Sequence, residues 1–204
     1  MVASGLVPSL ARPGGNLTGI SILATELDGR QEILMELVPT SRHMAALADP
    51  SATRPSQLEA LRSATAARGI ALSIYPVRGA GDIAAAVDAA QIAGATALNV
   101  LASCLLNANR EIILGRSAGL RLPAIYQWPE TAEEGGLAAY GPRFTEVFRQ
   151  FARQVVKVLR GAKPADIPVE QPDKFELVIN LRTAKTIGLE VPAALLDRAN
   201  QVIE

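Results

Sequence analysis

The residue types best suited to catalysis are scarce in this chain. Of its 204 residues, one is histidine (His43) and one is cysteine (Cys104). A single histidine excludes a multi-histidine metal site and leaves little room for a Ser/His or Cys/His catalytic set. A single cysteine excludes an internal disulfide and a cysteine-based zinc site. We therefore expect no catalytic residue and no metal.

Glycine-rich stretches that could bind a phosphate are present but incomplete. The Arg-Pro-Gly-Gly-Asn loop at residues 12–16 lacks the Lys-Ser/Thr pair of a P-loop and precedes a predicted strand. The stretch from Gly79 to Asp82 has Ala84 where a dinucleotide fingerprint has its third glycine. Because both motifs are incomplete, we expect no cofactor. Their incompleteness favours a binding protein over an enzyme built on a doubly wound sheet.

The charge balance narrows the choice of partners. The 20 Lys and Arg residues match the 20 Asp and Glu residues, so the formal net charge is zero. Nucleic-acid binding needs a basic surface, so we expect no nucleic-acid partner. The same balance gives no reason to expect an anionic membrane surface as partner. Hydrophobic residues make up 49% of the chain, which is enough for a sizeable core.

Strand-like and helix-like segments alternate regularly between residues 41 and 128. Short apolar runs without polar alternation predict buried parallel strands, and the segments between them are long enough for right-handed crossover helices. The predicted strands are 44–48, 70–77, 97–101 and 122–126. The predicted helices are 55–68, 82–93 and 107–119, and the last two begin at the N-caps Asp82 and Asn107. The pattern predicts an α/β fold with a doubly wound parallel sheet.

The flanking regions are less regular. Before the alternating region we predict a strand at 17–22 and a helix from an N-cap at Thr25 to Pro39. After it, the predicted strands are 137–140 and 175–180, and the predicted helices are 144–159, 183–187 and 192–202. The helix from Phe144 to Leu159 is strongly amphipathic.

Ligands of open parallel sheets bind at the carboxyl ends of the strands, near the point where the strand order reverses. The predicted strands place nine candidate ligand-binding residues at that edge: Thr18, Gly19, Ser21, Asp49, Ser51, Ala102, Ser103, Gln127 and Trp128. The other edge holds His43, for which we expect a structural or solvent-facing role.

Several candidates have a second interpretation. Asp49 and Ser51 could cap the next helix, and Ser103 could be an N-cap or a hydrogen-bond donor to a ligand. Trp128 could line a pocket or pack between structural elements. Cys104 is expected to be a small buried apolar residue.

Four segments together resemble a known family. They are residues 5–19 (GLVPSLARPGGNLTG), 134–142 (EGGLAAYGP), 161–172 (GAKPADIPVEQP) and 175–181 (FELVINL). They resemble the substrate-binding proteins of ABC transporters of the tryptophan/tyrosine type, and the resemblance covers essentially the whole chain.

The resemblance implies a type I periplasmic-binding-protein fold, in which two α/β lobes close over a small polar, amino acid-like solute and present it to an ABC permease in the periplasm. It places Thr18, Gly19 and Ser21 on the N-terminal side of the cleft and the other six candidates on the C-terminal side. Relatives often have an acidic residue near Ser103, so the resemblance gives Ser103 no role in binding an amine. An effector-binding regulatory module of the same fold is the alternative, and it would need a DNA-binding helix pair upstream.

Family members begin with a signal or lipoprotein peptide and the first strands of the N-terminal lobe, which this chain lacks. The resemblance therefore implies a truncated protein: residues 1–40 as a remnant of the N-terminal lobe, 41–128 as the C-terminal α/β lobe, and 129–204 as a crossover helix and closing elements shared between lobes. Apolar surface left exposed on the remnant and on the helix from Phe144 predicts a homodimer, formed by swapping N-terminal elements in one version.

Overall fold

The computed structural model describes residues 5–22 and 26–204, without the side chains of 26–28. Within these residues, sixteen helices and strands follow one another along the chain. The strands are β1 (His43–Ala48), β2 (Ala71–Pro76), β3 (Leu98–Val100), β4 (Ala124–Tyr126), β5 (Ala138–Gly141), β6 (Glu176–Asn180) and β7 (Gln201–Ile203). The helices are α1 (Glu26–Leu37), α2 (Pro55–Ala66), α3 (Ala80–Ile92), α4 (Cys104–Ala108), α5 (Arg110–Gly119), α6 (Pro129–Glu133), α7 (Phe144–Leu159), α8 (Leu181–Ile187) and α9 (Ala193–Arg198).

The strands of the described residues form one sheet in the order β2-β1-β3-β4-β5-β6-β7. All neighbouring pairs are parallel except β5 and β6. Along the chain, β2 lies on one side of β1 and β3 on the other, so the strand order reverses between β1 and β3. A ligand crevice is expected at such a reversal, at the carboxyl ends of these strands.

Both faces of the sheet are covered, as the uninterrupted apolar strands predict. Successive residues of a strand point to opposite faces. Leu47, Leu98 and Val100 pack on one face with apolar residues of α3 and α5. Met44 and Ile125 pack on the other face with apolar residues of α1, α8 and α9. The doubly wound α/β fold predicted from sequence is confirmed.

The chain divides into two compact units. The larger unit comprises residues 24–141 and 176–204 and contains the sheet. The smaller unit comprises residues 1–23 and 142–175 and contains α7 and a 3-10 turn at Pro164–Asp166. The sequence division into segments 1–40, 41–128 and 129–204 stays a prediction.

In the smaller unit, the strand predicted at 17–22 is wrong. The segment makes one isolated bridge, from Ile20 to Glu170. Gly19 interrupts any longer run because its φ of 152° is a backbone conformation that L side chains rarely adopt. The segment is held by two backbone bonds to the loop after the 3-10 turn, Glu170 N to Gly19 O at 3.0 Å and Ser21 N to Glu170 O at 2.8 Å.

Three other sequence predictions are corrected in the larger unit. The helix predicted from Asn107 is two helices. Ser103 caps α4, and the non-helical backbone of Asn109, with φ of −112° and ψ of 23°, separates α4 from α5. Asp82 does not begin α3. It is the third residue of the helix and accepts hydrogen bonds from the N–H groups of Arg78 and Gly79, at 2.9 and 3.1 Å.

The last helix is also shorter than predicted. It ends at Arg198, and residues 201–203 pair with β6 as β7. The N-cap predicted at Thr25 lies outside the described residues.

Candidate functional site

The candidate site of the larger unit lies where β1, β3 and β4 end. Asp49 follows β1, Ser103 follows β3, and Trp128 comes two residues after β4. The three strands are parallel neighbours, so their carboxyl ends share one edge of the sheet. Six of the nine residues predicted from sequence lie in the loops at this edge, namely Asp49, Ser51, Ala102, Ser103, Gln127 and Trp128.

Asp49 ties two of these loops together at the point where the strand order reverses. One carboxylate oxygen accepts hydrogen bonds from the N–H and hydroxyl of Ser51, at 2.8 and 2.6 Å. The other accepts the Ser103 hydroxyl at 2.6 Å. The Asp49 side chain therefore has partners on both oxygens. The predicted capping of the next helix by Asp49 is wrong, because Arg54 is the N-cap of α2.

The ionisation of Asp49 follows from the same contacts. The residue is buried, and burial opposes the charged form. The hydrogen bonds from Ser103 and Ser51 stabilise the carboxylate more strongly, so the pKa of Asp49 lies below its ordinary value of 3.8. A charged carboxylate therefore holds the two loops at neutral pH.

Ser103 serves both the loop and the helix that follows. Its oxygen accepts the N–H groups of Leu105 and Leu106, at 3.0 and 3.3 Å, which is N-cap geometry for α4. The Ser103 hydroxyl in turn donates its hydrogen bond to Asp49. The predicted N-cap is thus observed.

Replacing Ser103 with alanine should remove the cap and leave one oxygen of Asp49 without its donor. We expect the free energy of unfolding to fall by about 2 kcal/mol. Urea denaturation measures it, with Ser63→Ala as a matched control on the exposed surface of α2. An equal loss in both variants would contradict a special role for Ser103.

An open depression lies beside Ser103 in the larger unit and is called here the cavity; its roughly 260 Å³ of empty space includes space open to solvent. Its apolar lining consists of Val100, Leu101, Leu106, Tyr126 and Trp128, and its polar lining consists of Ser103, Asn107, Arg110, Gln127 and Thr131. Because this space is open to solvent, a ligand held by this unit alone would remain partly exposed.

Two ionisable side chains of the cavity lining, Tyr126 and Arg110, have charge states that their surroundings determine. Burial raises the pKa of the Tyr126 hydroxyl well above its ordinary value, so this residue stays neutral. Arg110 donates from Nε and Nη2 to the two carboxylate oxygens of Glu134, at 2.5 and 2.9 Å, and these bonds lower the pKa of Glu134. The charge of Arg110 is therefore balanced by its own ion pair.

Trp128 lines the cavity, which was one of its two sequence interpretations. Gln127 and Ser103 line it too. Asp49, Ser51 and Ala102 are not part of the lining, although Asp49 accepts the Ser103 hydroxyl and is itself held by Ser51. Sequence reasoning missed Asn107, Arg110 and Thr131. Asn107 could have been found from the N-cap at Ser103, because it lies one helical turn after it.

The remaining three candidates lie in the smaller unit. The Thr18 hydroxyl donates to the carbonyl of Ile167 at 2.8 Å, which leaves only its lone pairs for a ligand. The Gly19 carbonyl accepts from Glu170 N at 3.0 Å, and the Ser21 N–H donates to the Glu170 carbonyl at 2.8 Å. Structural bonds thus hold the backbone of this segment in place.

The chain's histidine and cysteine lie outside the cavity lining. His43 contacts the carbonyl of Ala93 through Nδ1 at 3.1 Å and the Ser73 hydroxyl through Nε2 at 2.8 Å, which is a structural role. Cys104 is exposed rather than buried, because it opens α4 on the side away from the buried Leu106. Within residues 5–22 and 26–204, no three His, Cys, Asp or Glu side chains cluster as metal ligands would.

A doubly wound sheet with a partly apolar cavity at its carboxyl edge places this chain among the α/β proteins whose ligand crevice is expected at that edge. A family model for ABC transporter substrate binding proteins matches residues 1–203. The chain belongs to this family, as its sequence motifs indicate.

Individual relatives agree with the family assignment. A tyrosine-binding protein of Clostridioides difficile is 23% identical over 190 residues, which cover 93% of this chain and 54% of that protein. The chain therefore spans about half the length of this curated relative.

Two solved structures share the fold closely. The ABC domain from Streptococcus pneumonia in complex with L-Trp superposes with a TM-score of 0.86 at 26% identity, over 99% of this chain and 70% of that one. A conserved domain protein from Vibrio cholerae gives a TM-score of 0.88 at 25% identity, over 98% and 68%. Among the described residues, no helix is long and apolar enough to cross a membrane.

Proposed function

We propose that this protein is the solute-binding component of an ABC importer and that its solute is an aromatic amino acid. The observation that carries the proposal is the cavity at the carboxyl edge of β3 and β4, where Trp128 lies among Ser103, Asn107 and Gln127. The named ligands of two relatives, tyrosine and L-Trp, support this choice of solute. Family membership favours transport over the regulatory alternative.

The cavity suits a ring that carries a polar group. Leu101 and Leu106 are buried, and Trp128 is the partly exposed apolar side chain of the lining. An aromatic ligand beside Trp128 gains from offset stacking or edge-to-face contact. Ser103, Asn107 and Gln127 place polar groups around that surface. We propose that Asp49, Ser51 and Ala102 support this site in the larger unit. We also propose a ligand-binding role for Thr18, Gly19 and Ser21 of the smaller unit.

Binding in this proposal involves no bond making. In this proposal the protein binds the solute in the periplasm and delivers it to an ABC permease. It uses no cofactor and does not act as an enzyme. Denaturing a loaded sample should release the solute chemically unchanged, which mass spectrometry measures. A modified product would contradict the proposal.

Replacing Trp128 with alanine should weaken binding of L-Trp and L-Tyr about tenfold, because one aromatic contact and its buried area are lost. Isothermal titration calorimetry measures the dissociation constants. Ile92→Ala is the matched control, since Ile92 is 87% exposed on α3 and does not line the cavity.

Trp128 is the chain's single tryptophan, so its fluorescence reports on the cavity directly. Selective excitation of Trp128 during titration with L-Tyr should show a saturable change in emission. Folded protein that binds no aromatic amino acid by either method would refute the proposed solute. Equal affinities for wild type and Trp128→Ala would instead refute this cavity as the site.

We also propose that the protein forms a homodimer.

A further inference from the structure

Asn180 joins three elements of the larger unit through one buried side chain. It is the last residue of β6 and is 4% exposed. Its Oδ1 accepts the N–H of Thr183 at 3.1 Å, which is the N-cap bond of α8. Its Nδ2 donates to the carbonyl of Ala132, in α6, at 2.9 Å. The two ends of the amide therefore bond to two different helices.

The two bonds together require an amide at this position. An N-cap needs only an acceptor, and Asp and Ser cap helices about as well as Asn does. An ionised carboxylate has no proton to donate to a carbonyl, and the serine side chain is shorter than the amide. The amide of Asn180 therefore does more than cap α8, because it also holds α6.

Helix α6 connects this bond to the cavity. Its N-cap is Trp128, which lines the cavity, and the helix carries Thr131, which lines it too. The helix has five residues, so Ala132 lies only roughly 6 Å along its axis from Trp128. So short a helix makes few hydrogen bonds of its own. Bonds at its end therefore contribute directly to the positions of Trp128 and Thr131.

The end of α6 is also bonded through the turn that follows it. The carbonyl of Ala132 accepts the N–H of Gly135 at 3.2 Å, so both of its lone pairs are used. The Thr183 hydroxyl donates to the Gly135 carbonyl at 2.9 Å, and the Asn180 N–H donates to the Leu137 carbonyl at 2.8 Å. Strand β6 and helix α8 thus hold the turn, and the side chain of Asn180 holds the helix itself.

We infer that Asn180 is a positioning residue for the cavity: it holds α6 through Ala132 and thereby sets where Trp128 and Thr131 line the cavity. Removing its donor takes one hydrogen bond from a buried carbonyl, which is costly unless the short helix moves. The effect on the position of Trp128 needs no ligand, whereas the effect on affinity rests on the proposed aromatic solute.

Two substitutions separate the bond to α6 from the cap of α8. Asn180→Asp and Asn180→Ser both keep an N-cap for α8 and remove the amide that donates to Ala132. The aspartate keeps the shape of the side chain, and the serine adds no buried charge, so it is the variant to use if the charge prevents folding. Asn200→Ala is the matched control, because Asn200 Oδ1 accepts the N–H of Leu177 at 2.8 Å near the other end of β6.

Trp128 is the chain's single tryptophan, so its fluorescence reports on α6 in the ligand-free protein. Both Asn180 variants should shift the emission maximum of Trp128 and increase its quenching by acrylamide, with unchanged circular dichroism. Asn200→Ala should change neither, even where it lowers Tm as much. Unchanged emission and quenching in the Asn180 variants would overturn the inference. An equal change in Asn200→Ala would also overturn it, since Asn180 would then have only a general structural role.

Isothermal titration with L-Tyr measures the consequence for binding. The Asn180 variants should bind about three- to tenfold more weakly than wild type, as the displacement of one aromatic contact implies. Asn200→Ala should bind as wild type does. Wild-type affinity in the Asn180 variants would overturn the inference even if the emission changed. If wild type binds no aromatic amino acid, the proposed solute is refuted, and the fluorescence of Trp128 alone decides the role of Asn180.

Discussion

Replacing Gly141 with alanine should lower the free energy of unfolding by at least about 3 kcal/mol, because a fixed backbone atom occupies the space of the new methyl group. A Cβ on Gly141 would lie 2.1 Å from the carbonyl oxygen of Gln127. That carbonyl belongs to the loop that follows β4 and leads to Trp128. Relief of the clash must separate β5 from this loop, and the cost falls on the sheet and the cavity together.

Thermal unfolding followed by circular dichroism measures the loss, expected as a decrease in Tm of roughly 6–12 °C for a chain of this size. Gly115→Ala is the matched control, since a Cβ on Gly115 meets nothing within 4 Å. Gly115 lies inside α5, so this substitution should stabilise the protein by about 0.5–1 kcal/mol. The close approach at Gly141 would be refuted if both variants kept or raised Tm.

Elements whose own residues carry a complete pattern are predictable from the sequence. The amphipathic helix predicted at 144–159 matches α7 at both ends, because three-to-four apolar spacing and a following glycine define it locally. The buried strand predicted at 44–48 matches β1 to within one residue. In both cases local propensity and tertiary environment favour the same structure.

The prediction failed where tertiary pairing decides the structure. Residues 201–203 continue a helical pattern in sequence, yet they pair with β6, and the sheet satisfies their backbone groups. Helix α4 is only five residues long and has too few positions to show a period. Its N-cap Ser103 was recognised as a possible cap, but the helix behind it was not.

The candidate site was predictable in position and less so in composition. The rule for parallel sheets led to Ser103, Gln127 and Trp128, which line the cavity. Arg110 and Thr131 were missed because both lie on helices, whereas the rule for parallel sheets points to the loops at the strand ends. Their contribution to the lining depends on how α5 and α6 pack above the strands, which local sequence does not record.

Replacing Asp49 with alanine should destabilise the protein by about 2–4 kcal/mol at neutral pH, since three charge-assisted hydrogen bonds are lost in a buried place. The donors left behind are the hydroxyl of Ser103 and the hydroxyl and N–H of Ser51. Asp88→Asn is a matched control. Its partner Arg116 also lowers the pKa of Asp88, but that pair is exposed, so its loss should be small and should fade with added salt.

The pH dependence of stability separates the effect of the Asp49 charge from the effect of its shape. Asp49→Asn removes the charge and keeps the shape. The pKa of Asp49 is lower in the folded protein than its ordinary value of 3.8, so the carboxylate contributes its full stabilisation above that value. The contribution is lost as the pH falls through the lower pKa of the folded state, where wild type becomes protonated too. Urea denaturation should therefore show a stability gap between wild type and Asp49→Asn that is constant from neutral pH to about pH 5 and narrows below about pH 4. A gap that persists unchanged in acid would assign the effect to packing and geometry, and one that widens in acid would mean that folding raises the pKa of Asp49.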